Sequence, residues 1–168
     1  LRKDFLKIIN LGRKKGIKIA LNPSKYQLAA PGIKEALRKV DILILNQEEA
    51  SFLTGVPFQK ENEIFKKIDE WVKGICIMTK GEKGVAVSDG KILYKAPSLK
   101  TKVLDETGAG DAFGSGFAAE YIKNGKIISA IQFAIANASA NLKKIGAKEG
   151  LLENGEKRQK VKVQKEKL

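Results

Sequence analysis

The stretch from Asp105 to Phe117, which reads DETGAGDAFGSGF, constrains the chain more than any other. Gly108 and Gly110 leave the backbone nearly bare, and the apolar residues after them recur at helical spacing. The pattern therefore predicts a glycine turn at the N-terminus of a helix. Unpaired N–H groups and the positive end of the helix dipole converge at such a turn, which makes it a ready anion site.

Asp111 follows these glycines directly and puts a negative charge inside the predicted anion site. Its carboxylate would repel a bound phosphate unless a substrate hydroxyl lay between them and gave up its proton while attacking phosphorus. The arrangement is typical of phosphoryl transfer to an alcohol. We expect Gly110 to adopt a backbone conformation that is easy only for glycine, and a side chain there to crowd the phosphate. The competing interpretation is a glycine-rich strand-to-helix turn with an ordinary acidic cap residue.

This stretch resembles the C-terminal signature of the ribokinase-like (PfkB-type) sugar and nucleoside kinases. The matching positions are Asp105, Thr107, Gly108, Ala109, Gly110, Asp111 and Phe113. The resemblance implies that Asp111 is the catalytic base and that the Gly108–Ala109–Gly110 turn is the anion hole for the transferred phosphoryl group. It also implies that Asp105 helps to hold a monovalent cation. Glu106 departs from the Thr or Pro that is frequent in the family.

The composition indicates a globular chain with one hydrophobic core. Its apolar runs are shorter than a membrane span, and its first residues lack the layout of a signal peptide. The single Cys76 suits a reducing cytosol, so a cytoplasmic location is expected. The net charge of +13 raises the question of nucleic acid, but the Lys residues are scattered without interleaved aromatics. A solvated basic surface is the favoured interpretation.

Three apolar runs end in polar residues, as strands do where α/β folds bind ligands. The runs and the residues that follow them are Ile17–Leu21 with Asn22, Ile42–Leu45 with Asn46, and Ile75–Met78 with Thr79. Asn22 is an ordinary turn former, but the resemblance implies a position near the nucleotide phosphates. Thr79, Gly81 and Gly84 form a tight β-turn on one interpretation, and the resemblance implies that they contact ATP.

Asn46 and Glu49 allow two interpretations. Asn46 is a good helix N-cap and Glu49 lies three residues on, so a capping box accounts for both. The resemblance implies a second role, because the family's Asn-x-x-Glu motif follows a strand at this point and belongs to the shell around magnesium and phosphate. Since the order of the surrounding elements also matches the family, we favour the magnesium role.

The last predicted helix carries the remaining matches to the family. The resemblance implies that Asn137 lies near the adenine and that Gly146 and Ala147 border both the adenine and the cation. Asp105, Thr107 and Gly146 are thus the expected potassium site. The spacing between Asn137 and Gly146 is shorter than we expect in ribokinase itself.

The order of the elements predicts an α/β fold with a mostly parallel sheet and a late antiparallel hairpin at Asp89-Gly90. The resemblance implies the three-layer α/β/α arrangement of the ribokinase-like kinases. Besides the helix after Gly110, helices are predicted over residues 4–15, 46–55, 61–73 and 126–142. The Lys-rich end, residues 156–168, contains Val161–Val163 as a candidate last edge strand.

The resemblance covers almost the whole chain but only the second half of a ribokinase-like kinase. We therefore expect residues 1–168 to be the C-terminal portion of a single kinase domain, an incomplete domain without the N-terminal half and the lid. The implied reaction is transfer of the γ-phosphoryl group of ATP to a hydroxyl of a sugar or nucleoside, with Mg²⁺ and, as a further hypothesis, K⁺. Nucleic acid and membrane are not expected as partners, and a homodimer is compatible with the full-length protein.

Two other functions are weighed against this one. The first is an inactive nucleotide-binding remnant that lacks the acceptor site. The second is a dinucleotide-binding oxidoreductase, because Gly108, Gly110 and Gly114 form a Gly-x-Gly-x-x-x-Gly run before a helix. The second requires a strand about 20 residues further on that ends in a ribose-binding residue. A second long helix is predicted there instead.

Overall fold

The computed structural model of the protein describes residues 2–153 and 161–168. These residues form two compact units. The first comprises the chain up to Lys80 together with Ala86–Tyr94 and Lys165–Leu168, and the second comprises Gly81–Val85 and Lys95–Gln164. Strands alternate with helices through most of the first unit, so the predicted α/β class is confirmed.

A six-stranded sheet lies almost entirely in the first unit. Its strands are β1 (Ala20–Leu21), β2 (Ile42–Asn46), β3 (Ile75–Thr79), β4 (Val85–Ser88), β5 (Ile92–Ala96) and β6 (Gln164–Lys167), arranged in chain order. β2 pairs in parallel with both β1 and β3. Only a short turn at Asp89-Gly90 joins β4 to its neighbour β5, so these two strands are antiparallel. The sheet is therefore mixed, as predicted.

Apolar side chains of the sheet and of the helices in the first unit form one core. Those helices are α1 (Arg2–Lys14), α2 (Lys25–Leu28), α3 (Ile33–Leu37), α4 (Gln47–Thr54) and α5 (Glu61–Asp69). The first four residues of β2 and of β3 are all buried, which is the pattern of parallel strands covered on both faces. Leu43, Ile64 and Phe65 are fully buried in this core.

The second unit is built on two long helices, α6 (Ala109–Asn124) and α7 (Ile127–Asn141). They pack closely where Gly116 lacks a side chain, since a Cβ atom there would lie 3.2 Å from Nδ2 of Asn137. Half of the apolar residues of α7 are buried and the other half are partly buried, as predicted for a central helix. Because α7 occupies the position where a dinucleotide-binding fold needs a strand, the chain does not fit the oxidoreductase alternative.

Three predicted boundaries differ from the structure. β1 begins only at Ala20, because the Asp41 carboxylate accepts a hydrogen bond from the Ile19 amide at 2.9 Å and Ile17 stays exposed. α5 ends at Asp69, because the chain turns there to bury Trp71 and the residue after it. The last strand is β6 and not Val161–Val163, while residues 156–160 of the predicted Lys-rich end lie outside the described residues.

Candidate functional site

The predicted glycine turn is present at the start of α6. Gly108 is the N-cap residue with φ of 84°, a left-handed conformation that favours glycine. The Ala112 amide donates to the Gly108 carbonyl at 2.8 Å, which closes the first turn of the helix. The helix itself offers no acceptor to the amides of Gly110 and Asp111. Their N–H groups are therefore available to an anion at this end of α6.

Gly108 also allows a close approach of two backbone segments. A Cβ atom at this position would lie 2.3 Å from the carbonyl oxygen of Ala147 and 2.7 Å from its Cα. No side chain fits in that space. The backbone of Ala147 thus lies directly against the glycine turn.

Gly110 corrects part of the sequence prediction. It does not have a positive φ, and a Cβ atom built on it would meet nothing within 4 Å. The expectation that its backbone conformation is easy only for glycine is therefore wrong, because Gly110 lies in the first turn of an ordinary helix. Gly108 is the residue with that requirement. The open space beside Gly110 is compatible with a ligand that comes close to the backbone.

Asp111 lies in the first turn of α6 and is exposed. A negative side chain at this position interacts favourably with the positive end of the helix dipole. Its backbone carbonyl accepts a hydrogen bond from Ser115 Oγ at 2.7 Å, one turn further along the helix. Asp111 thus belongs to the same short segment as the two amides that the helix leaves without an acceptor.

Asp105 links the segment before the turn to the loop after α7. One carboxylate oxygen accepts a hydrogen bond from the Thr107 amide at 2.9 Å, and the other accepts one from the Gly146 amide at 2.9 Å. Hydrogen bonds from the backbone and side chain of Thr107, and then from the Gly146 backbone, lower the pKa of Asp105. The three residues predicted to hold a monovalent cation therefore meet in the structure.

Asn137 is buried and both ends of its amide are engaged within the chain. Nδ2 donates to the Ala112 carbonyl at 2.8 Å, and Oδ1 accepts from the Leu152 amide at 2.8 Å. Each end of the amide can form one further hydrogen bond, so these bonds are compatible with the position near the adenine that the resemblance implies. Asn141, which was not predicted from the sequence, lies one turn further along α7 and donates from Nδ2 to the carbonyls of Gly146 and Glu149. A second polar residue four positions after Asn137 in an apolar helix was the available signal.

The first unit contains its own group of predicted site residues, at the carboxyl ends of parallel strands. Asn46 and Thr79 are paired neighbours at the ends of β2 and β3. Asn46 Oδ1 accepts from the Glu49 amide and Glu49 Oε2 accepts from the Asn46 amide, both at 2.8 Å, so the capping box is present. The box leaves the Oε1 atom of Glu49 outside it. Asn22 is exposed directly after β1.

Gly81 begins a short 3₁₀ turn, Gly81–Lys83, and Gly84 follows it; both glycines have positive φ. The Gly84 amide donates to the Gly81 carbonyl at 3.0 Å. A Cβ atom on Gly84 would lie 2.1 Å from the Ala96 carbonyl oxygen, so the end of β5 leaves no room for a side chain. The positive φ values and the close approach of Ala96 account for these glycines as parts of a tight turn, without a ligand.

The described parts of the chain were compared with what a metal site made only of protein side chains would need. In residues 2–153 and 161–168, no group of three or more His, Cys, Asp or Glu side chains could hold a metal ion. A magnesium ion can instead be held by one or two protein oxygens together with substrate phosphates and water. The Oε1 atom of Glu49, which takes no part in the capping box, fits that limited role. Among the described helices, none is long and apolar enough to span a membrane.

Comparison with known proteins finds one family and several relatives. The family model described as pfkB family carbohydrate kinase matches residues 3–154. Cytidine kinase of Thermococcus kodakarensis is 31% identical over 85% of this chain and 52% of its own length. Ribokinase of Lactococcus lactis is 33% identical over 94% of this chain and 49% of its own length. The chain thus spans about half the length of these curated relatives.

A solved structure agrees with these matches. Arabidopsis thaliana ribokinase complexed with ribose and ATP aligns with a TM-score of 0.76 at 26% identity, over 88% of this chain and 48% of that chain. The expected ribokinase-like fold is therefore confirmed, and it is present as about half of the domain.

Proposed function

Because the chain belongs to the PfkB family of carbohydrate kinases, we propose that its parent protein transfers the γ-phosphoryl group of ATP to a hydroxyl of a sugar or nucleoside. The observation that carries the proposal is the pairing of a glycine N-cap with an exposed carboxylate in the same helical turn, at Gly108 and Asp111. An anion site and a base side by side are what phosphoryl transfer to an alcohol requires.

In the proposed mechanism each group has a distinct task. The first-turn amides of Gly110 and Asp111, together with the Gly108–Ala109–Gly110 turn, stabilise the negative charge of the transferred phosphoryl group. The Asp111 carboxylate accepts the proton of the acceptor hydroxyl as that oxygen attacks phosphorus. When bound, Mg²⁺ neutralises charge on the phosphates, and Asn46 and Glu49 are the residues that would hold its shell.

The nucleotide contacts extend the proposal beyond the turn. We assign Asn22, Thr79, Gly81, Gly84 and Ala147 to the ATP site, because they lie at strand ends or in turns that contain glycines with positive φ. A cytoplasmic location and a homodimeric full-length protein belong to the same proposal.

Potassium is a finer part of the proposal, at Asp105, Thr107 and Gly146. The Oδ1 atom of the fully buried Asn141, whose Nδ2 holds the Gly146 carbonyl, finds no hydrogen-bond partner among the described residues. An unsatisfied buried acceptor on the side chain that holds the Gly146 carbonyl is compatible with a cation at this loop. Equal rates in sodium-free buffers with and without potassium would count against this assignment.

The second candidate function is an inactive nucleotide-binding remnant, which the length comparison favours for the chain by itself. The chain spans about half of its relatives, with 52% and 49% of their lengths covered. We expect these 168 residues to bind ATP weakly and to phosphorylate nothing, because holding nucleophile and phosphorus together supplies much of the rate. Turnover of ATP with any sugar by the purified chain would contradict this expectation.

The main test replaces Asp111 by Asn in the complete reading frame that contains these residues. The assay measures phosphorylation across a panel of sugars and nucleosides. We expect kcat to fall by roughly 10² to 10⁴, the range for a lost general base. Glu106→Gln is the matched control, because it removes a nearby exposed carboxylate outside the proposed machinery and should leave kcat unchanged. Near-normal turnover of the Asp111→Asn variant would reject Asp111 as the base.

A further inference from the structure

Two buried amides lie on one face of α7. Asn137 and Asn141 are one helical turn apart, and they are 5% and 0% exposed in a helix whose other buried residues are mostly apolar. Burying an amide is costly unless it forms hydrogen bonds. The two side chains therefore need a structural reason, and their partners supply it.

All four hydrogen bonds of the pair go to backbone atoms. Asn141 donates from Nδ2 to the carbonyls of Gly146 at 3.1 Å and Glu149 at 3.0 Å. Asn137 accepts from the Leu152 amide at 2.8 Å and donates to the Ala112 carbonyl at 2.8 Å. The pair thus holds the segment 146–152 at three points. Its fourth bond reaches the residue that directly follows Asp111.

The same segment contacts the anion turn from its other side. The Gly146 amide donates to Asp105 at 2.9 Å, and the Ala147 carbonyl occupies the space that a side chain on Gly108 would need. A displacement of the segment would therefore move a wall of the anion turn. Asn137 and Asn141 do not touch that turn through their own side chains, except at the Ala112 carbonyl.

We infer that Asn137 and Asn141 form an amide clamp that fixes the segment 146–152 against the glycine turn of α6 and so positions that turn for its anion. Towards the anion the clamp residues are positioning residues, because they act on the glycine turn and do not contact the anion. The inference rests on the proposed function in one respect, namely that the anion is the phosphate of a nucleotide. The geometry of the clamp does not depend on that assignment.

The test uses the 168-residue chain with the substitution Asn141→Ala. The matched control is Gln132→Ala, on the same helix, which also removes a side-chain amide bond to backbone, from Nε2 to the Val161 carbonyl at 2.9 Å. Hydrogen exchange at the Gly146 and Leu152 amides is followed by NMR, and the Kd for Mg-ATP is measured alongside the melting temperature. If the bonds of Asn141 only stabilised the fold, both variants would have a lower melting temperature, and both would keep the Kd of the unsubstituted chain for Mg-ATP.

We expect exchange at the Gly146 amide to become about tenfold faster in the Asn141→Ala variant, and the Kd for Mg-ATP to rise by about the same factor. The Gln132→Ala variant should show neither change. Unaltered exchange at Gly146 would overturn the clamp. Faster exchange in a chain whose unsubstituted form does not bind Mg-ATP would uphold the clamp as a structural device and would contradict the expectation that these residues bind ATP, whereas the proposed kinase activity is tested separately by Asp111→Asn in the parent protein.

A measurement on the unsubstituted chain covers the case in which the variant does not fold. Both side-chain protons of Asn141 should exchange slowly, because both are donated to carbonyls in a buried position. The side-chain protons of the exposed Asn22 provide the fast reference. Equally fast exchange in Asn141 and Asn22 would overturn the clamp without any substitution.

Discussion

The two units are organised by different kinds of residue. In the first, Leu43, Ile64 and Phe65 are among many apolar side chains with no exposed surface, and they come from strands and helices spread along the chain. In the second, Gly108 at the start of α6 has a left-handed conformation, and the buried amides of α7 donate hydrogen bonds to the Ala112 and Gly146 carbonyls on either side of that turn. In a core of many similar apolar contacts, removing one side chain lowers stability in proportion to the volume removed. In a turn held by single backbone positions, a change at any one of them alters the conformation of the whole turn.

The largest expected effect comes from a substitution in the apolar core of the first unit. Phe65→Ala should lower the free energy of unfolding of the first unit by about 3 to 5 kcal/mol, because it leaves a cavity in a fully packed core. Urea unfolding followed by the fluorescence of Trp71, the only tryptophan, reports this unit. The control Phe52→Ala removes a ring that is 53% exposed and should change stability by less than about 0.5 kcal/mol. Similar losses of unfolding free energy in both variants would show that burial in the core does not decide the cost of removing a phenylalanine ring.

The next effect tests the glycine turn. Gly108→Ala should destabilise the second unit by about 1 to 3 kcal/mol through its positive φ, and further through the clash with Ala147. Gly125→Ala is the control, because Gly125 caps the other end of α6 with φ of 67° and open space around its Cβ position. Hydrogen exchange of the α6 amides measures both variants. Equal losses would show that the close approach to Ala147 contributes nothing.

The comparison also explains what the sequence could predict. The strands β2 and β3, the hairpin and the long helices follow from apolar runs and turn residues, and they appear within a few residues of their predicted bounds. The glycine turn at the start of α6 was predictable because glycine spacing and helical periodicity meet there. These elements could be predicted because interactions between residues close in sequence determine them.

The missed features depend on contacts between distant residues. α2 and α3 are only 4 and 5 residues long, too short for periodicity to reveal. The early end of α5 and the late start of β1 depend on Trp71 and Asp41, whose partners lie elsewhere in the chain. Gly110 and Gly108 could not be told apart by spacing, because the position of the helix start decides which of them needs a positive φ. The partners of Asn141 became known only from the structure.

An intermediate effect concerns apolar surface in the first unit. On α1, Ile8 is 69% exposed and Leu11 is 54% exposed, although Ile9 between them is buried. Such side chains favour association with other apolar surface. Sedimentation of the chain should reveal self-association, and Ile8→Lys should weaken it about tenfold, as expected when part of the roughly 1.5 to 3 kcal/mol from one buried Ile is lost. A monomeric unsubstituted chain would show that this surface is inert.

The smallest effect comes from a polar group inside the apolar unit. Asp69 accepts a hydrogen bond from Ser88 at 2.7 Å, yet its other oxygen is buried without a partner among the described residues. Burial raises the pKa of Asp69 above 3.8, and the nearby Asp89 adds to the rise, against the opposing effects of Ser88 and Lys73. The folded state therefore binds this proton more tightly than the unfolded state does.

It follows that the charged form of Asp69 costs stability at neutral pH, and that this cost disappears as the pH falls through the raised value toward 3.8. Other carboxylates change stability in the opposite sense, since the pKa of Asp41 is lowered. The difference in unfolding free energy between the unsubstituted chain and Asp69→Asn isolates the contribution of Asp69. We expect that difference to move in favour of the unsubstituted chain by no more than about 1 kcal/mol on acidification, because solvent screens a partly exposed group. A constant difference between pH 7 and pH 4 would show that Asp69 does not carry this penalty, and that the first unit tolerates the buried oxygen without a proton.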